Sequence, residues 1–193
     1  MIHASLARHT CSMLSSSKPA QADTPEVQQA HRQARTIVLA LGNPLRGDDG
    51  IGAAVINALE VSPRLPQGVD LIDGGTPGLE ISLLLQGYHR VIIIDTAEMG
   101  LPPGTWAQFV LNDNAILKPN DMYQQISVHS AGLAEALALG QSLSLLPNEI
   151  TIFGIQPSII GWSSGLSNPV QEAIPAVCSA ILEKLNRAEA GPS

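Results

Sequence analysis

The chain has 193 residues, enough for one domain with a substantial core and too few for two comfortable ones. Its formal net charge of −7 argues against nucleic acid or an anionic membrane as the main partner, and suits a basic or metal-bearing one. Hydrophobic residues make up 45% but aromatics only 3%, so the core must be built from Leu, Ile, Val and Ala.

Residues 1–34 are polar, rich in Ser, Gln and Ala, and poor in large apolar side chains, so they cannot offset their own ordering entropy. They are expected to form a disordered N-terminal extension, with some helix over 26–35. They lack the continuous apolar stretch of a secretory signal; their shortage of acids leaves an organelle transit peptide as the alternative. No apolar run reaches the ~20 residues of a membrane span. Cys11 and Cys178 stand near opposite ends, outside any CxxC pair, which excludes a disulfide framework and a zinc knuckle and points to the reducing cytoplasm.

The folded domain is expected over 35–187, with a mobile tail at 188–193. It opens with the β-branched run 36–41, a buried strand stopped by Gly42-Asn43-Pro44. Residues 51–59 put Ile51, Val55, Ile56 and Leu59 on one helical face. A second strand over 69–72 ends in Asp73-Gly74-Gly75, and a second helix is predicted over 79–85. The unbroken run 91–94 reads as a strand covered on both faces. Residues 106–111 alternate after Pro102-Pro103-Gly104, as an added or edge strand would. A third helix is predicted over 129–139, a last strand over 150–155, and a long final helix over 168–185. This alternation predicts an α/β fold, a mainly parallel sheet with helices on both faces.

In such sheets ligands bind beyond the carboxyl ends of the strands, so chemistry is sought in the loops that follow them. Those loops deliver Asp48 and Asp49, then Asp73, then Asp95, and His129 stands at a helix start. The glycine-rich stretch 42–52 has the position of a dinucleotide loop, but two carboxylates at its helix start would repel a pyrophosphate. One of them could instead cap the following helix; one cap suffices for one helix. Asp73, backed by glycines, fits a turn aspartate bonding its own backbone. Asp95 directly follows Ile94, where a poorly solvated carboxylate is costly without a cation or metal. At a helix start, His129 would be held neutral, the form that ligates metal. Carboxylates with an imidazole suit zinc, nickel or iron better than magnesium or calcium. Among the four acids this reading makes no choice.

The run from Leu41 to Gly52, with Asp73-Gly-Gly-Thr76, the strand ending in Asp95, Ser127-Val-His129 and Ile155-Gln-Pro157, resembles the hydrogenase maturation endopeptidases. Glu98-Met-Gly-Leu101 and Gly154-Ile-Gln-Pro157 are most similar to the branch acting on hydrogenase 3. The resemblance covers about residues 36–187. It implies a three-layer αβα sandwich with a twisted five-stranded sheet. It implies an aspartyl-type peptidase, an activator of its client, that removes the C-terminal extension of a nickel–iron hydrogenase large-subunit precursor. The substrate's own nickel would be the recognition element. The family's metal-contacting triad falls on Asp49, Asp95 and His129, where zinc or cadmium is also expected to bind in vitro. Asp49 is Glu in some members, so the carboxylate here is drawn back by one methylene. Asp73 matches an acidic position tied to activity and is the candidate general base. Asp48, Gly74, Gly75 and Gln156 are the candidate substrate contacts. A monomer with no nucleic-acid or membrane partner is expected.

Two alternatives remain open on sequence. A phospho-acceptor receiver domain also places acids after its strands, but wants a lysine where this chain has Gln156-Pro157-Ser158. A nickel-escorting accessory protein would share the metal site without cutting.

Overall fold

The computed structural model of the chain describes residues 35–112, 131–147 and 149–189. Five strands form one sheet: β1 (Thr36–Ala40), β2 (Val69–Asp73), β3 (Arg90–Thr96), β4 (Trp106–Asn112) and β5 (Glu149–Ile155). Their order across the sheet is β2-β1-β3-β5-β4. All neighbours are parallel except β4, which runs antiparallel along β5 at the edge. The helices are α1 (Ile51–Glu60), α2 (Ile81–Leu84), α3 (Ala131–Ser142) and α4 (Asn168–Glu189).

The β-branched runs become the three central strands because both of their faces are covered. Ile37, Leu39, Val91, Ile93, Ile150 and Ile152 point to one side, where Ile81 and Leu85 from the α2 region and Leu133 and Leu137 of α3 close over them. Val38, Ala40, Ile92, Ile94, Phe153 and Ile155 point to the other, under Val55 and Leu59 of α1 and Val177, Ile181 and Leu185 of α4. Strand period two and helix period 3.6 thus meet in two apolar layers, and each large side chain so buried stabilises the fold by roughly 1.5–3 kcal/mol. This is the expected three-layer α/β architecture. Among the described residues, one buried side-chain polar atom has no described partner, the Thr151 hydroxyl in the middle of β5.

Three boundaries differ from the sequence reading. Helix α2 is only Ile81–Leu84, not 79–85, because residues 78–82 close i→i+3 turn bonds and leave Leu79 exposed. Helix α3 is described from Ala131 to Ser142, and α4 continues to Glu189. Residues 1–34, 113–130, 148 and 190–193 lie outside the described residues, and with them the expected extension, most of the tail, and His129. No described helix is long and apolar enough to cross a membrane.

Register brings the strand ends level. Ala40 pairs with Asp73 on one side and Ile94 on the other, and Asp95 pairs with Gly154. The loops after β1, β2, β3 and β5 therefore leave the sheet from one edge.

Candidate active site

At that edge lies a pocket of about 220 Å³ lined by Leu41, Gly42, Asp49, Gly75, Thr76, Pro77, Ile81, Asp95 and Leu133. Two of the sequence-selected acids, Asp49 and Asp95, share its wall. Both are buried, at 1% and 3% exposure. Burial of a carboxylate is costly unless its oxygens are bonded. Asp49 accepts from the Asn43 N–H at 3.0 Å and from the Thr96 hydroxyl at 3.2 Å, both neutral donors. Asp95 accepts from the Thr96 N–H at 2.8 Å. Thr96, which the sequence reading passed over, therefore touches both acids, one through its hydroxyl and one through its backbone.

The β1 loop can deliver Asp49 only because Gly42 is a glycine. Its φ is +115°, and a Cβ there would sit 1.9 Å from the Asp49 carbonyl oxygen. Its N–H is held by the Gly75 carbonyl at 2.8 Å, which joins the loop after β1 to the loop after β2. Gly75 thus lines the pocket, while Gly74 fastens the loop to β1 by donating to the Ala40 carbonyl at 2.9 Å.

Neither Asp48 nor Asp49 caps the helix that follows, for α1 has Gly50 at its N-cap and no side-chain cap bond. Asp48, expected as a substrate contact, is turned into the fold. It is fully buried and accepts from the Ser158 N–H (2.8 Å), the Ile159 N–H (2.9 Å), the Ser167 N–H (2.6 Å) and the Ser167 hydroxyl (2.9 Å). These donors lie beside the N-terminus of α4, where the helix dipole favours an anion. Burial alone would push its carboxyl up, but the Ser167, Ile159 and Ser158 N–H groups and the Ser167 hydroxyl together hold it below its ordinary 3.8. Asp48 is the anchor of the 158–167 loop.

Gln156, also expected as a substrate contact, is likewise an anchor within the fold. Its side-chain oxygen accepts from Met99 N–H at 2.6 Å and Leu101 N–H at 3.2 Å. Its amide nitrogen donates to Glu98 at 2.9 Å and to the Pro157 carbonyl at 3.3 Å. Every polar atom of the side chain is engaged and it is 4% exposed, so the two segments singled out by sequence, 98–101 and 154–157, are one bonded unit.

Asp73 is exposed at the end of β2, and its carboxylate accepts from the Gly75 N–H at 3.1 Å, the turn geometry foreseen for it. It stands two residues from the pocket wall. Among the described residues no group of three His, Cys, Asp or Glu converges as a metal cluster; the third member of the expected triad, His129, lies outside them.

Residues 53–184 match the HycI family model of hydrogenase maturation proteases. The hydrogenase expression/formation protein HupD of Rhizobium leguminosarum bv. viciae is 31% identical over 152 residues, covering 78% of this chain and 74% of HupD. The hydrogenase maturating endopeptidase HybD from E. coli superposes with a TM-score of 0.69 at 29% identity, over 80% of this chain and 93% of HybD. A hydrogenase 3 maturation protease superposes with a TM-score of 0.56 at 25% identity, over 77% of this chain and 89% of that one.

Proposed function

Since this chain belongs to the hydrogenase maturation protease family, we propose that it removes the C-terminal extension of a nickel–iron hydrogenase large-subunit precursor once nickel has been inserted. The observation that carries this reading is the pair of buried carboxylates, Asp49 and Asp95, on one pocket at the carboxyl edge of the sheet. A buried carboxylate whose bonds among the described residues come from neutral donors, as those of Asp49 do, offers an anionic ligand to an incoming cation. With an Asp95 oxygen and the His129 imidazole it would form a mixed O/N donor set that fits a borderline ion such as nickel, zinc or cadmium.

In this reading the metal arrives with the substrate. Asp49, Asp95 and His129 complete its coordination and thereby fix where the scissile peptide lies, and a bound metal can polarise a carbonyl or activate water. Thr96 holds the two carboxylates in one orientation. Asp73, exposed beside the pocket-lining Gly75, is the candidate general base and would take the proton of the attacking water. A receiver-domain switch is disfavoured by the antiparallel β4, since those domains carry a wholly parallel sheet in the order 2-1-3-4-5.

The test mixes the chain with nickel-loaded and nickel-free precursor and weighs the products. Cleavage of the loaded form alone, abolished in Asp95→Asn and His129→Ala, is expected. Equal cutting of both forms would remove the nickel requirement. Binding without cutting would make the chain a nickel-escorting protein.

A further inference from the structure

The loops after β1 and β5 are zipped together by backbone bonds. Arg46 and Gly47 bridge to Ser163 and Ile160, the Gly47 N–H donates to Ser163 at 3.0 Å, and the Asp48 N–H donates to Ile159 at 3.1 Å. On these two bonded loops three large apolar side chains stand in solvent: Leu45 at 64% exposure, Ile159 at 57% and Trp162 at 82%. Residues 158–167 carry no ionisable group. An exposed Trp and two exposed aliphatics, held on paired loops, offer apolar surface with the aromatic anchor common at binding sites.

The platform adjoins the pocket. Gly42 lines the pocket, Asn43 bonds Asp49, and Leu45 donates its N–H to the Asn43 side chain at 2.9 Å. On the other strand of the zipper, the Ile159 N–H is bonded directly to buried Asp48. The platform is therefore pre-organised, which lowers the ordering cost of binding. The pocket, at about 220 Å³, is smaller than the roughly 300–1,000 Å³ of a site that holds a drug-sized ligand. A stable protein partner covers about 800 Å² on each side, so recognition of a folded precursor must extend beyond the pocket.

We infer that Leu45, Ile159 and Trp162 form the docking platform for an uncharged, apolar segment of the large-subunit precursor that flanks the scissile bond. The inference rests on the processing reading above. It is tested by measuring the affinity of nickel-loaded precursor for the full chain and for the Ile159→Ser/Trp162→Ser double variant, with Leu45→Ser as a second variant and Val61→Ser, exposed elsewhere at 83%, as the control. Thermal unfolding checks each fold. The expected result is at least tenfold weaker binding in the double variant, with several-fold loss in Leu45→Ser and none in Val61→Ser. Binding of the double variant within twofold of the parent overturns the inference. So does a parent dimer that the double variant dissolves while precursor affinity is unchanged, for the face would then belong to a second copy. A parent chain that does not bind precursor overturns it too. Parent binding without cleavage, weakened by the double variant, would sink the protease reading and leave the platform standing.

Discussion

Replacing Asp48 with Asn tests the claim that this carboxylate is a structural anchor. The change keeps shape and removes charge. Three donors converge on one carboxylate oxygen and one, the Ser167 N–H, on the other. The best amide orientation keeps the three and turns its NH2 toward the Ser167 N–H, leaving that buried donor unpaired at a cost of about 1–3 kcal/mol. The three retained bonds fall from charge-assisted to neutral strength, about 1 kcal/mol each. Easier burial of a neutral amide offsets part of this, so the net loss is about 3 kcal/mol. For a domain of this size that lowers the melting temperature by roughly 6–12 °C. Circular dichroism melts of the two proteins read it directly. A variant that melts within about 2 °C of the parent but has lost processing would refute the anchor argument, since that is the behaviour of a group that meets substrate.

Thr96→Val deletes the hydroxyl that holds Asp49 and should slow processing about tenfold with a stability loss of about 1–2 kcal/mol, while Thr96→Ser restores both; a valine variant cutting at the parent rate contradicts the positioning role. Thr151→Val removes a buried hydroxyl with no described partner and should raise stability by about 1 kcal/mol, seen as a higher urea midpoint; a lower midpoint would mean the hydroxyl is bonded. Asp48 is held below its ordinary 3.8, and Glu149, where burial is outweighed by Lys184 and Arg90, below its ordinary 4.5. Depressed carboxylates contribute stability that is full above the unfolded value and lost as pH falls through the folded one. Urea midpoints should therefore hold from neutral pH to about 4.5 and fall steeply below it, with a shallower fall in Asp48→Asn; an identical acid limb would rule out the linkage.

The strands were legible because β-branched runs such as 91–94 have no other use in a small aromatic-poor core, and the strand-end rule then gathered Asp49, Asp95 and Asp73 at one edge. What could not be read was the direction of each side chain. Asp48 and Asp49 are neighbours in one motif, yet one serves the pocket and the other a loop whose donors lie 110 to 119 residues away. No local period encodes that separation. The anchoring of Gln156 was hidden for the same reason, because its partners stand 55 to 58 residues upstream. Thr96 carried only one clue, its position directly after Asp95.

The Gln156 clamp also limits how this chain can drift. The amide offers one acceptor to two N–H groups and one donor to Glu98, and no other side chain supplies both at that length. A change to Glu would set a second anion against Glu98; a change to Leu would orphan two backbone donors. The passable route is a reciprocal exchange, with Glu arriving at 156 only as Gln arrives at 98. Positions 98 and 156 should therefore be inherited as a pair, and a graft of the 98–101 segment between relatives should succeed only when its partner travels with it.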